Sequence, residues 1–212
     1  MSLRDLFSRR TPAVTPVSNT LEVPLFPLNT VLFPGGTLGL KIFEQRYLEM
    51  ASEALREHSQ FGICLIARGH EVGETAEPHS IGTLATIDQA DMEQLGILLT
   101  SCRGGSRFRI LERRVGANGL QHALVELLAD PALAIPPERA RLLPLAHKIV
   151  NDVGRDKMPE PHHFDDAAWV GYRMTEVLPI QNLAKQKLLE LDDPLSRLEI
   201  LERYLDQRKL LK

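Results

Sequence analysis

The side chains best suited to metal or acid–base chemistry are a histidine pair and the two aspartates that follow it. His162 and His163 stand in the stretch Pro-Glu-Pro-His-His-Phe-Asp-Asp, which leads from a polar loop into a helical pattern through Asp165 and Asp166. Neighbouring side chains of an extended chain point to opposite sides, so the two imidazoles do not converge on one ion. We expect loop and helix-capping roles for the aspartates, and no metal site.

Motifs for nucleophilic catalysis and phosphate binding are missing from the sequence. It contains neither a G-x-x-x-x-G-K-[ST] loop nor a G-x-S-x-G elbow. Ser101 adjoins Cys102 on a strand-like stretch without a nearby base, and Cys64 lies in a similar apolar stretch. Both cysteines are expected to be buried free thiols of a reducing compartment. The sequence therefore predicts a protein that is not an enzyme, with no catalytic residue and no cofactor.

A cluster of arginines is the most distinctive charged feature. Arg107 and Arg109 alternate with Phe108 and Ile110, so on a strand the two guanidinium groups share one face. Arg103 precedes them, and Arg113 and Arg114 follow. Two interpretations stay open: a solvated sheet face, or a contact for an anion, an acidic peptide or RNA made by Arg103, Arg107 and Arg109.

Composition limits the class of protein. The chain has 212 residues, 43% of them hydrophobic, with a formal net charge of -3 and a pI of about 6.2. This balance argues against a nucleic-acid partner, because polyanion binding needs a large basic surface. No apolar stretch reaches the roughly 18 residues that span a bilayer, and the first residues lack the apolar core of a secretory signal. We expect no membrane partner, a cytoplasmic location, and a flexible tail over residues 1–20.

The sequence from 21 to 130 is typical of a β-rich region. Prolines punctuate its first stretch, Leu21 to Gly35, which predicts a short strand, a bent crossing, a second strand over Thr30–Phe33 and a turn. Further strands are predicted near residues 61–67, 81–87, 95–102, 107–110 and 120–128, with a hairpin turn at Asn118-Gly119 and turns at both Gly-Gly pairs, 35–36 and 104–105. Many short strands with glycine-bearing turns favour a curled sheet or barrel.

Helical patterns interrupt and then follow this region. One amphipathic helix is predicted over Phe43–Glu57. A proline-marked linker begins at Pro131, and the rest of the chain predicts four helices, near residues 138–153, 165–178, 183–190 and from 193 onward. Asp193 followed by Pro194 is a strong helix-start signal. The fold class expected is α+β, with a β-rich region over 21–130 and a linker with a helical bundle over 131–212.

Five separated segments, in order, resemble the N-terminal, substrate-binding domain of Lon proteases. They are Pro24-Leu-Phe-Pro-Leu-Asn-Thr-Val-Leu-Phe-Pro-Gly35, Ile42-Phe-Glu-Gln-Arg-Tyr47, Ile81-Gly-Thr-Leu-Ala-Thr-Ile87, Gly105-Ser-Arg-Phe-Arg-Ile110 and the helical stretch from Leu178 to Leu198. The resemblance implies a PUA-like pseudo-barrel followed by a helical bundle. It also implies a stand-alone bacterial form of that domain, without the ATPase and peptidase domains of the full protease.

Three functions are compatible with these observations. The resemblance favours a non-catalytic module that binds polypeptide clients, in particular unfolded or exposed apolar segments, along a groove or a sheet edge. Its candidate contacts are Phe26, Phe33, Phe43 and Tyr47. The alternatives are a PUA-like RNA-binding module that uses the basic strand from Arg103 to Arg114, and a small-molecule-binding protein of unknown ligand. The sequence names neither the client nor the oligomeric state.

Overall fold

A mainly antiparallel sheet and a set of helices form a mixed α/β fold in the computed structural model, which describes residues 19–155 and 157–211. The strands of this part of the chain are β1 Thr20–Leu28, β2 Thr37–Ile42, β3 Phe61–Arg68, β4 Glu77–Pro78, β5 Ile81–Gln94, β6 Ile97–Val115 and β7 Gln121–Leu127. Its helices are α1 Gln45–Glu57, a 3-10 helix Pro137–Leu142, α2 Leu143–Val153, α3 Ala167–Val177, α4 Asn182–Glu190 and α5 Pro194–Gln207.

Of the predicted boundaries, the structure can be compared with the one near residue 130 but hardly with the one at residue 20. The change from strands to helices falls after β7, close to the predicted division at residue 130, although the division into domains itself stays a prediction. The flexible tail predicted over residues 1–20 lies almost wholly outside the described residues. None of the described helices is long and apolar enough to cross a membrane.

The hydrogen-bonded strands of the sheet close into a circuit. The order is β1-β7-β6-β5-β3, and β3 returns to β1 through a parallel pairing. β1 makes this possible because it changes partner along its length. Its first part, Thr20 to Leu25, pairs with β7, and its last part, Leu25 to Leu28, pairs with β3. Pro24 and Pro27 lie on either side of that change, each in a part of β1 that has one partner, where a missing backbone donor costs no ladder bond.

Two local predictions are wrong, and a third is confirmed only in part. Thr30–Phe33 is not a strand but an irregular crossing, in which Leu32 and Phe33 turn inward and are buried. Gly104-Gly105 is not a turn, because β6 runs straight through it; a Cβ on Gly104 would lie 2.2 Å from the Phe33 carbonyl oxygen, so the crossing passes too close for any side chain. The helix predicted from residue 138 begins as a 3-10 helix, and α2 starts only at Leu143 because Pro144 lacks the amide that a continuous α-helix needs.

Other local signals are confirmed. The Asp166 side chain accepts a hydrogen bond from the Ala168 amide at the start of α3, and Asp193 caps α5 with Pro194 in its first turn. The Asn118-Gly119 turn joins β6 to β7, closed by a 2.7 Å bond from the Gly116 amide to the Leu120 carbonyl. Capping and turn chemistry act over a few residues, which is why sequence alone located them.

In the part of the chain that the structure describes, four buried clusters make up the core. Two belong to the sheet: one holds α1 against it, and the other fills the space inside the strand circuit around Phe108 and Leu25. A third joins α2, α3, α4 and α5 to one another. The fourth is small, and it connects the sheet to the helices through Phe33, Ile81 and Tyr172.

Both cysteines are free and buried, as the sequence predicted. Cys64 and Cys102 are 1% and 0% exposed. Burial raises the pKa of the Cys64 thiol to about 12, against a minor opposing effect of Arg113. Burial also raises the pKa of Cys102, opposed by a hydrogen bond with Thr100. Thiolate, the reactive form, is therefore scarce at both positions near neutral pH.

We expect native protein at pH 8 to react with a thiol-specific reagent at least about tenfold more slowly than the same protein in concentrated urea, because both thiols are buried and protonated. A spectroscopic thiol titration with and without urea measures the two rates. Stoichiometric labelling of the native protein at the rate of the unfolded chain would contradict the burial of these side chains.

Candidate polypeptide-binding surfaces

Arg107 lies at the junction between the sheet and the helices, not on a solvated face. Its side chain is 0% exposed, and its Nε donates to the Asp130 carboxylate at 3.0 Å. Its Nη1 donates to the backbone carbonyls of Leu189 at 2.8 Å and Leu191 at 3.1 Å, where α4 ends. The guanidinium group thus binds β6 to the segment after β7 and to the end of α4.

A second arginine completes this junction. Arg197 of α5 donates to the carbonyls of Leu188 at 2.9 Å and Leu191 at 2.6 Å, and its guanidinium carbon lies 4.0 Å from the centre of the Tyr172 ring. The Tyr172 hydroxyl donates to Asp130 at 2.5 Å. Burial is the main cause that raises the pKa of Tyr172 and lowers that of Arg197. These groups have a structural role, because each makes its hydrogen bonds with a neighbouring group inside the protein.

Arg103 and Arg109, the other two arginines predicted to contact an anion or RNA, have acidic partners. Arg103 lies 2.7 Å from Asp88, and Arg109 lies 3.2 Å from Glu126. Both of these side chains are partly exposed, at 44% and 42%. Arg107, Arg103 and Arg109 therefore do not form one free cationic face, and an anion or RNA contact through them stays a prediction.

The four aromatic residues predicted to bind peptide fall into two places. Phe26, Phe43 and Tyr47 border one cavity of about 60 Å³ beside α1, where Phe26 and Tyr47 stack with ring centres 4.1 Å apart. Phe33 lies in the cluster between sheet and helices, 5.8 Å from the Tyr172 ring. Phe26, Tyr47 and Phe33 are buried, whereas Phe43 is 50% exposed. Of the four, Phe43 presents the most surface, and their role in binding stays a prediction.

Glu176 of α3 is an acidic side chain next to the start of β2. Burial raises the pKa of the Glu176 carboxyl, against the charges of Arg173 and Lys185 and the backbone N–H of Thr37. Arg173 Nη1 lies 2.9 Å from Glu176, and its Nη2 donates to the Pro34 carbonyl at 2.6 Å. This group is therefore an ion pair that fixes α3 to the start of β2.

A groove between α4 and α5, which was not predicted from the sequence, presents an apolar surface to solvent. It has a volume of about 470 Å³ and its lining is almost wholly aliphatic, with one aromatic ring. The lining side chains are Ile180, Ala184, Leu188, Leu191, Ile200, Leu201 and Tyr204, with Lys187 and Glu190 at the rim. The sequence held only a partial signal, because Ile200 is an apolar residue outside the periodic stripe of Leu198, Leu201 and Leu205. The structure leaves it 44% exposed.

The rim of this α4–α5 groove is electrically balanced. Lys187 and Glu190 pair with each other at 2.7 Å, and Arg203 pairs with Glu199 one turn back on α5. A second groove, of about 610 Å³, lies between α1 and the β5–β6 hairpin, but polar residues such as Glu49, Glu53 and Arg56 make up much of its wall. Of these two grooves, the α4–α5 groove is thus the better suited to an apolar ligand.

Comparison with known proteins identifies the family. Residues 22–207 match the family model described as the ATP-dependent protease La (LON) substrate-binding domain. The chain belongs to this family. The resemblance seen in the five sequence segments is therefore confirmed, and the domain concerned is the substrate-binding one, which is non-catalytic.

Similar solved structures agree with this assignment. The Lon N-terminal domain protein from Xanthomonas campestris is 36% identical with a TM-score of 0.73, over 87% of this chain and 98% of that one. The N-terminal domain of Mycobacterium avium complex Lon protease has a TM-score of 0.60 over 88% of this chain and 97% of that one; at 20% identity, it supports the fold alone.

Curated relatives are longer than this chain. Lon protease 2 of Herpetosiphon aurantiacus is 27% identical over 200 residues, which cover 90% of this chain and 24% of that protein. Protein cereblon of Gallus gallus is 26% identical over 146 residues, which cover 67% of this chain and 32% of that protein. The chain thus spans about a quarter to a third of the length of the curated relatives it matches.

We expect Arg107→Met to lower the free energy of unfolding by about 3–5 kcal/mol, because it removes the side-chain donor of the buried Leu189 carbonyl and one of the two side-chain donors of both Asp130 and the Leu191 carbonyl. Arg109→Met, a control of identical chemistry two residues along β6, removes a half-exposed ion pair and should cost about 1 kcal/mol or less. Urea unfolding followed by circular dichroism measures both. Equal losses for the two variants would contradict the structural role of Arg107.

Proposed function

We propose that this protein is a polypeptide-recognition module whose α4–α5 groove holds exposed apolar segments of unfolded client chains. The observation that carries the proposal is the groove itself, an open aliphatic surface in a member of a substrate-binding domain family. Its volume of about 470 Å³ is within the usual range for ligand pockets. Burial of an apolar client side chain there is favourable because it removes apolar surface from water.

The shape and charge of the groove indicate the kind of segment it accepts. Two helices form its walls, which is the geometry used by proteins that bind an apolar face of another chain. Since the rim charges of Lys187 and Glu190 neutralise each other, affinity comes from apolar contact and not from attraction to one sign of charge. Unfolded proteins expose such apolar segments, and folded ones bury them.

The finer description of the fold belongs to the same proposal. The closed circuit of strands supports a PUA-like pseudo-barrel, and the shared core of α2 to α5 supports a helical bundle that stands beside it. In this interpretation the β-rich part is a rigid base, and the helices carry the client surface. A cytoplasmic location would suit unfolded clients of this kind, and it stays a prediction.

We expect Ala184→Glu and Ile200→Glu each to weaken binding of a fluorescently labelled unfolded protein, reduced and carboxymethylated α-lactalbumin, by roughly tenfold or more. Each change places a carboxylate where the client must exclude water. Either the carboxylate loses its water, which costs a few kcal/mol, or it stays hydrated and the client loses apolar contact of similar value. Both positions are exposed, so the fold should tolerate the change. Fluorescence anisotropy measures the affinity.

Val115→Glu is the matched control, because Val115 is 54% exposed but lies on β6, away from the groove. It should bind the labelled client as the unmodified protein does. Native, folded α-lactalbumin should not compete for binding. Undiminished affinity in both groove variants would refute the proposed surface, and the absence of any preference for the unfolded client would refute the proposed function.

A further inference from the structure

Strand β2 has an open edge. Its only strand partner among the described residues is β6, along an uninterrupted antiparallel register from Thr37↔Arg103 to Ile42↔Leu98. On the other side of β6 at this level lies β5, so β2 is the outermost strand here. An outermost strand carries backbone N–H and C=O groups that have no partner within the sheet.

The ladder itself shows which groups point outward. The Gly104 amide donates to the Gly36 carbonyl at 2.8 Å, just before β2 begins. In an antiparallel pair, bonded residues alternate, so Leu38, Leu40 and Ile42 direct their backbone groups toward β6. Thr37, Gly39 and Lys41 direct theirs away from the sheet.

The first of these outward residues lies next to α3. Thr37 and Glu176 of α3 line the same cavity, so the start of this edge is close to a helix. The next two residues with outward-directed backbone groups, Gly39 and Lys41, are exposed. Gly39 leaves the backbone bare in the middle of the strand, since a Cβ added there would meet no heavy atom closer than 3.9 Å.

Other edges of the sheet carry more protective features than β2 does. β4 is only two residues long and contains Pro78. The free edge of β5 beyond residue 87 is broken by two register shifts and bears Asp88 and Asp91. Short length, proline, irregularity and charge are the usual devices that prevent a strand from joining an edge. β2 has one charged residue, Lys41, and neither a proline nor a shift in register.

An apolar contact lies at the end of this edge. Phe43 follows β2 directly, is 50% exposed, and borders the cavity beside α1 together with Val72, which is 56% exposed. At the opposite end of the edge, α3 stands beside Thr37, which lines a cavity together with Glu176 and Val177.

We propose that β2 is the acceptor edge for an extended segment of a client polypeptide, which adds a strand beside Thr37–Ile42 and places an apolar side chain against Phe43. Main-chain hydrogen bonds to Gly39 and Lys41 hold the segment whatever its sequence, and the Phe43 contact fixes its register. The client class rests on the proposed function, but the surface is separate from the α4–α5 groove. A client chain can therefore be held at two points.

The test uses a twelve-residue peptide of alternating threonine and valine with one phenylalanine near an end and lysines at both termini. At saturation we expect amide exchange at Gly39 and Lys41 to slow by roughly tenfold or more, as exposed donors become hydrogen-bonded. Two further peptides carry backbone N-methyl groups on every second residue. The first is methylated at the odd-numbered residues and the second at the even-numbered residues. One should lose roughly tenfold or more in affinity and the other should keep it, because only one set faces the edge.

Protein variants give an independent measure. Gly39→Pro removes an outward amide but no bond to β6, and should weaken the peptide roughly tenfold, whereas Gly39→Ala keeps the amide and should bind normally. Equal binding of both N-methylated peptides, unchanged exchange at Gly39 and Lys41, or self-association of the protein through β2 would each overturn the inference. If one of these results is obtained while binding of unfolded α-lactalbumin still depends on Ala184, only the inference about β2 is refuted. If neither the peptide nor the unfolded protein binds, both proposals are refuted.

Discussion

The structure depends on the buried end of α4 being supplied with hydrogen-bond donors. A helix leaves its last carbonyl groups without partners, and burying them away from water is costly unless a donor reaches them. Here Arg107 from the sheet and Arg197 from α5 donate to the carbonyls of residues 188, 189 and 191. Asp130 offsets the charge of Arg107 and also accepts from Tyr172, so one carboxylate links strand, helix and connecting segment. Because these groups are buried or nearly so, the loss of either arginine would take a donor from several of them at once.

This junction decides how the functional surfaces are presented. With its end fixed on the sheet, α4 lies beside α5 so that some aliphatic side chains of both helices enter the shared core and others, such as Ile200, line an open groove. The ion pair of Arg173 with Glu176 fixes α3 beside the start of β2. Beyond that point, β2 has no second strand partner among the described residues. The groove and the open edge therefore come from the same arrangement, in which the helices cover the sheet at one place and leave it free at another.

The two proposed surfaces differ in the physics by which they would recognise a chain. The α4–α5 groove offers apolar area, so it selects segments by hydrophobicity. The edge of β2 offers backbone donors and acceptors, so it selects segments that can extend and have unpaired main-chain groups. Folded proteins satisfy both needs internally, and unfolded chains satisfy neither. A module with both surfaces distinguishes the two states by general properties rather than by one motif, which is consistent with a family named for substrate binding.

The sequence by itself determined the local features: the capping aspartates Asp166 and Asp193, the buried thiols, most strand and helix positions, and the family. These depend on side chains within a few residues of one another, or on motifs in a fixed order. Tertiary structure alone decided the rest. Alternation placed Arg107 and Arg109 on one face, but only the packing of α4 onto that face buried the first and left the second half-exposed. The same reason hid the groove, because whether Ile200 meets a neighbour or solvent is set by a helix that lies elsewhere in the chain.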